Sequence, residues 1–152
     1  MLCTEFIYKI VKLESDLSRI EPLLETMIQI GFNLCSSESD ELKVKGLRIL
    51  KLVCLKFKDV GDPEDKTKLL LEIYEAQIST SLRPQLESSA PEVVIEALKL
   101  MYAIVMTPAT QDSKIIDRLI PPLIDSFTDL AIIPMDEDYS EDTSAKVYYT
   151  KL

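Results

Sequence analysis

Glu41-Leu42-Lys43-Val44-Lys45-Gly46-Leu47-Arg48-Ile49-Leu50 is answered by Glu92-Val93-Val94-Ile95-Glu96-Ala97-Leu98-Lys99-Leu100-Met101, 51 positions further along the chain. Each stretch opens on an acid, runs apolar residues at helical spacing, and puts a small residue, Gly46 or Ala97, in the same slot before a leucine and a cation. A small residue at a crossing point lets two helix axes approach closely. Self-similarity at a fixed period is the sequence mark of stacked repeats. A second echo agrees in period: Pro22-Leu23-Leu24 and Pro122-Leu123-Ile124 stand 100 positions apart, about two such steps.

Working outward, apolar periodicity predicts further helices on both sides. Phe6, Ile7, Ile10, Val11 and Leu13 mark a helix over about Leu2 to Glu14. A second, near Arg19 to Leu34, is capped by Ser15 or Ser18 and carries Pro22 in its first turn, where a missing amide costs nothing. The third spans about Asp40 to Lys58 and stops at Asp59-Val60-Gly61-Asp62-Pro63. A long helix from about Glu64 to Gln85 or Ser88 then follows, striped by Leu69, Leu70, Ile73, Tyr74, Ile78 and Leu82 and bent at Pro84. After a serine cap at Ser88-Ser89 and Pro91, the next helix runs from about Pro91 to Met106. A sixth is expected over about Asp112 to Leu130 with a bend at Pro121-Pro122, then an acidic loop over Pro134 to Asp142, then a helix from near Thr143. Neither end carries a polar cap, so the chain reads as one domain cut from a longer array.

Composition points the same way. The chain has 152 residues, is 47% hydrophobic and 28% charged, and holds only 3 glycines, which favours an all-α globular fold over hairpins. No apolar run approaches the roughly 20 residues of a membrane-spanning helix. A net charge of −9 opposes binding to a phosphate backbone, so nucleic acid is not an expected partner. Cys3, Cys35 and Cys54 follow neither CxxC nor secretory spacing and read as buried thiols. With no signal-peptide pattern at the N-terminus, a cytoplasmic location is expected.

Leu82-Arg83-Pro84-Gln85-Leu86, followed by Ala90-Pro91-Glu92-Val93-Val94-Ile95-Glu96-Ala97-Leu98-Lys99-Leu100, resembles a HEAT-repeat unit. That motif has a proline-bearing first helix, a short turn, and a second helix opening on acid-Val and carrying an Ala-Leu pair. The resemblance implies an α-solenoid of about three antiparallel helix pairs within the HEAT and armadillo-like superfamily, a non-catalytic scaffold that binds other proteins. Ile73-Tyr74-Glu75-Ala76-Gln77-Ile78 leading into Leu82-Arg83-Pro84 is similar to part of the very large HEAT-repeat proteins that accompany the type-one clathrin adaptor between Golgi and endosomes. That resemblance implies vesicle traffic and a place at the periphery of those membranes. The sequence departs from the stricter motif in the long first helix of the central pair and in Arg48 and Lys99, which follow the small residue instead of preceding it.

No motif of a dedicated active site is legible in the chain, and an enzyme using the carboxylates Asp136 and Asp138 is only a remainder among the readings. There is no histidine, and no phosphate-cradling or nucleophile-elbow motif, so neither catalytic residues nor cofactor is expected. Asp136, Asp138, Ser140 and Asp142 are spaced as a calcium loop begins, but Glu141 stands where the glycine belongs and Val147 where the bidentate acid belongs. A solvated loop is the expectation there, and no metal, with regulated phosphorylation of Ser140 or Thr143 as the lesser alternative.

The candidate binding surface is the third helix. Lys43, Lys45, Arg48, Lys51, Lys56 and Lys58 form a run of cations with no acid among them. At 100° per residue they share a side with Val44, Leu52 and Leu55, opposite Leu42, Ile49, Val53 and Phe57. Lys43, Lys45, Arg48, Lys51, Leu52 and Leu55 are the expected partner-binding set, a cation-edged apolar strip suited to an acidic, hydrophobic peptide. The HEAT resemblance implies that this second helix of its pair lines the concave groove. The competing expectation is a solvated face whose lysines balance nearby acids while neighbouring helices cover Val44, Leu52 and Leu55. Tyr74, Tyr102 and Met106 read as core or groove wall. A different class of function, a free-standing bundle that regulates a partner or a membrane surface through the Lys43 to Lys58 face, fits the same residues.

Overall fold

The structure, a computed structural model, describes residues 2–106 apart from Lys66, together with Ile120, Pro121 and Ile124. Those last three are helical, in keeping with a helix over 112–130; the rest of that segment, the acidic stretch and the helix expected from Thr143 lie outside the described residues. The continuous part holds α1 (Leu2–Leu13), α2 (Leu17–Ile20), α3 (Leu24–Cys35), α4 (Asp40–Phe57), α5 (Glu75–Leu86) and α6 (Pro91–Val105). Short 3-10 segments at Glu21–Leu23 and Leu70–Tyr74 lead into α3 and α5.

Local chemistry accounts for the boundaries. Asp16, not Ser15 or Ser18, starts α2: its carboxylate accepts the Ser18 amide at 3.1 Å and the Ser18 hydroxyl at 2.7 Å. Hydrogen bonds to that carboxylate hold its pKa below the ordinary value. Pro22 sits in the 3-10 turn that joins α2 to α3, so the single helix expected from Arg19 is broken at its first turn. Ser88 caps the turn and not α6, since its hydroxyl accepts the Ala90 amide at 3.2 Å, and Pro91 opens the helix unaided.

The largest correction concerns the helix expected from Glu64. Asp62 accepts the Glu64 amide at 2.9 Å and Asp65 accepts the Thr67 amide at 3.1 Å, so side chains take the donors that a helix start would leave free. The ends of the resulting loop are pinned where the Asp62 amide meets the Lys68 carbonyl at 2.9 Å and the Leu70 amide meets that of Val60 at 2.8 Å. Glu72 then accepts the Leu69 amide at 3.1 Å, and the helical path begins there. The tighter winding of Leu70–Tyr74 turns Ile73 outward, although the α-helical stripe placed it inside. Pro84 lies within α5, which continues to Leu86.

Two rows of helices result. A β-carbon at Gly46 would stand 2.7 Å from the Gly31 carbonyl oxygen and 2.9 Å from the Cys35 amide, and one at Gly31 would stand 2.7 Å from the Leu50 side chain. As numbers rise along α3 they therefore fall along α4, and the two cross at glycines too close for any side chain. Gln29 meets Gln77 at 3.3 Å and Cys35 meets Gln85 at 2.9 Å, so α3 and α5 run the same way. The four-residue turn 87–90 returns α6 against α5, which makes α4 and α6 parallel as well. Helices α3 and α5 form one row; α1, α4 and α6 form the other. Packing between α4 and α6 is far more extensive than between α3 and α5.

The core runs continuously between the rows. Leu47, Leu50, Val53, Cys54 and Phe57 of α4 are fully buried, as are Ile28, Leu82, Leu86, Val93, Ala97 and Leu100. Each large side chain so placed contributes about 1.5–3 kcal/mol of transfer free energy. The fold is an all-α solenoid segment, with helices lined up in rows and not wrapped about one closed centre.

Candidate interaction surface

Helix α4 begins with Asp40 and Glu41 in its first turn, where carboxylates suit the exposed amides. Those two acids take the first two cations of the run. Lys43 Nζ reaches Asp40 at 2.9 Å and Lys45 Nζ reaches Glu41 at 2.7 Å, and both lysine side chains lie largely covered along the helix. The Lys45 hydrogen bond holds the Glu41 carboxyl below its ordinary pKa. Lys56 Nζ donates to the Glu14 carbonyl at 3.0 Å, tying the end of α4 to the turn after α1. Lys58 approaches Asp59 at 3.6 Å.

Arg48 and Lys51 behave differently. Both reach across to Glu96 of α6: Arg48 Nε to Oε1 at 3.4 Å and Lys51 Nζ to Oε2 at 3.1 Å, while Lys99 Nζ from the next turn of α6 takes Oε1 at 3.0 Å. The Glu96 side chain is only 7% exposed, whereas Arg48 and Lys99 are 49% and 53% exposed. Burial alone would raise the Glu96 pKa, but the hydrogen bonds from Lys99 and Lys51 and the field of those cations outweigh it and leave the carboxyl below its ordinary value. One buried acid thus holds three cations at the α4–α6 seam, a surplus of positive charge among the described residues there.

The apolar half of the expected strip divides. Val44 is buried in the core, Leu52 packs partly against it, and Leu55 is 47% exposed. Val44 therefore belongs with the core and not with the surface set, because neighbouring helices cover it. Of the six expected residues, Lys43 and Lys45 pair with acids of their own helix, Arg48 and Lys51 pair across to α6, and Leu52 and Leu55 lie on the turns that follow. Arg48, Leu52 and Leu55, spaced i, i+4 and i+7, form one row. Lys99 and Tyr102 on α6 and Met106 at its C-cap form a matching row, and Tyr102 and Met106 are exposed and not core. The sequence reading missed Glu96 and Lys99 as members of this surface. The cue was present in the repeat, which sets Lys99 in the slot of Arg48 and Met106 in the slot of Leu55.

No cluster of cysteines and acids among the described residues is arranged to hold a metal ion. Cys35 and Cys54 are buried free thiols, and burial pushes both up to about 12, away from thiolate chemistry at neutral pH. No described helix is long and apolar enough to cross a membrane.

Residues 19–151 match the family described as the Laa1/Sip1/HEATR5 HEAT repeat region. The chain belongs to this family. Among curated relatives it is 30% identical over 84 residues to Protein SWEETIE of Arabidopsis thaliana, an alignment covering 55% of this chain and 4% of that protein. It is 27% identical over 132 residues to AP-1 accessory protein LAA1 of Saccharomyces cerevisiae, covering 85% of this chain and 6% of that protein. The chain thus spans a small fraction of the length of the relatives it matches. No solved structure matches it. Membership of this HEAT-repeat family agrees with the stacked rows and supports a scaffold role.

Proposed function

We propose that this chain is a non-catalytic section of a HEAT solenoid scaffold serving AP-1-linked traffic between Golgi and endosomes, docking a protein partner on the exposed face of α4 through Arg48, Lys51, Leu52 and Leu55. The alignment of 85% of the chain with a yeast protein named as an AP-1 accessory protein is the observation that carries the traffic reading. For the surface, support comes from the exposure of Leu55 beside cations in a chain of net charge −9. Lys43 and Lys45 contribute there by neutralising the start of α4, not by contact. A cytoplasmic setting at the periphery of those membranes follows from this reading.

The test is capture of purified type-one clathrin adaptor on the immobilised chain. Capture that Leu55→Asp abolishes while the melting temperature holds is the expected result. Failure to capture the adaptor would remove the traffic reading. Capture indifferent to Leu55→Asp and to Leu52→Asp would remove the α4 surface.

A further inference from the structure

Glu96 with its three cations is a charge imbalance at the junction of two repeats. A scaffold needing only to join α4 to α6 would be served by one cation per carboxylate, with the pair shielded from water. Here two of the three cations keep about half their surface in solvent, at 49% for Arg48 and 53% for Lys99. Next along both helices the exposed residues are apolar: Leu55 on α4, and Tyr102 and Met106 on α6. Because α4 and α6 run parallel, the contact of Glu96 with Arg48 and Lys51 sets the register and brings the turn of α6 that holds Tyr102 to the height of Leu55 along the stack. The same order, cation then apolar side chain, repeats on both helices at the 51-residue step that relates Arg48 to Lys99 and Leu55 to Met106.

We infer that the α4–α6 seam is a two-helix docking site for a peptide segment bearing carboxylates beside apolar side chains, in which Glu96 is the internal anion that the peptide's carboxylates supplement and compete with. The inference rests on the reading that a partner docks on the α4 face, and extends it to Lys99, Tyr102 and Met106 with a stated partner chemistry. Charge complementarity selects the occupant. The surplus cations attract an acid, and the adjoining Leu55 and Tyr102 take an apolar side chain next to it. Glu96 keeps Arg48, Lys51 and Lys99 gathered before the peptide arrives, which lowers the ordering cost of binding. It also screens them, which sets the affinity.

The probe is a short fluorescein-labelled peptide rich in Glu and Leu, titrated with the whole chain by fluorescence polarisation, beside an analogue with every Glu replaced by Gln. The acidic peptide is expected to bind in a salt-sensitive way and its amide analogue about tenfold or more weakly, as for the loss of two or more exposed ion pairs. Arg48→Gln with Lys99→Gln should weaken the acidic peptide by about tenfold. Tyr102→Ala should weaken both peptides, and Glu96→Gln should tighten the acidic one several-fold, roughly as expected when an internal competing charge is removed. Should Glu96→Gln fail to fold by circular dichroism, Lys99→Gln and Tyr102→Ala, both on exposed side chains, decide the matter. Equal binding of the two peptides, no binding of either, indifference to Lys99→Gln and Tyr102→Ala, or preference for phosphatidylserine vesicles over the peptide would each overturn the inference. Adaptor capture that survives such a result would leave the scaffold reading standing. Peptide binding without adaptor capture would do the reverse.

Discussion

The two seams that join successive helix pairs are built from different chemistry. Between α3 and α5 the ties are neutral: Gln29 to Gln77 on the surface, and Gln85 reaching a buried position to donate to the Cys35 carbonyl at 2.9 Å. That second bond satisfies an acceptor at the C-terminus of α3 that the helix cannot serve itself. Between α4 and α6 the tie is ionic, one buried carboxylate and three cations, set beside a much closer apolar contact. The contrast teaches that neutral amide bonds suffice where the helices pack sparsely, whereas the extensively packed seam keeps charges that water still reaches. Charges in that position can serve both the fold and a ligand.

The comparison breaks most sharply if the ionic seam is reversed. Arg48→Glu with Lys51→Glu would set two new acids against buried Glu96 and leave it with Lys99 alone. Removing partners from a buried charge costs about 3–5 kcal/mol, so a large drop in the urea midpoint is expected. The double variant therefore tests stability, and the milder glutamine variants are the ones suited to binding. An unchanged midpoint would show that the seam contributes nothing to folding. On the neutral side, Gln85→Leu leaves the Cys35 carbonyl without its donor and should cost about 1–3 kcal/mol, read from the same urea titration. A loss as large as that of the charge reversal would erase the distinction between the seams.

How much of this was legible in the sequence depends on the range of the interaction. Helices α4 and α6 were read almost to the residue because periodicity, the acidic first turn and the Gly-Asp-Pro stop are all local. Gly46 was legible as a crossing point, since glycine in the middle of a helix costs stability unless something needs the space, and Gly31 fills that space from α3. The onset of α5 was not, because Asp62 and Asp65 divert backbone amides into side-chain turns while Leu69, Leu70, Ile73 and Tyr74 still spell a helical stripe. The candidate surface was half legible. The run of cations on α4 was plain, but the residue that organises Arg48 and Lys51 lies 45 to 48 positions away in sequence. By periodicity Glu96 is one more solvated acid, and only parallel stacking of the two helices makes it a buried counter-ion.

A subtler way to sharpen the contrast is pH. The Glu96 carboxyl is held below its ordinary value of 4.5 in the folded chain. A depressed carboxyl contributes stability that is fully present above its unfolded pKa and is lost as pH falls through the folded one. The advantage of the native chain over Glu96→Gln should therefore be constant near neutrality and shrink progressively once pH drops below about 4.5. Glu41, Asp16 and Asp65 are also lowered, so an acid limb survives in the variant. Gln85→Leu removes no titrating group, and its deficit relative to the native chain should stay level across the same range. Parallel acid limbs for native and Glu96→Gln chains would mean that the ionic seam is not held by the charge on Glu96.

The smallest expected effect lies on the surface of the α3–α5 seam. Gln77, itself half-buried, donates to the exposed Gln29 at 3.3 Å, where solvent replaces either partner at little cost. Gln77→Ala should shift stability by less than about 0.5 kcal/mol and be insensitive to salt and pH. Its value is as a reference. If this exposed contact proved worth as much as the buried Gln85 bond, the α3–α5 seam would be gaining stability from alignment of the two helices as a unit, and the row would have to be treated as cooperative across repeats. A negligible shift assigns its polar contribution to Gln85 and leaves the outer edge free to vary without disturbing the stack.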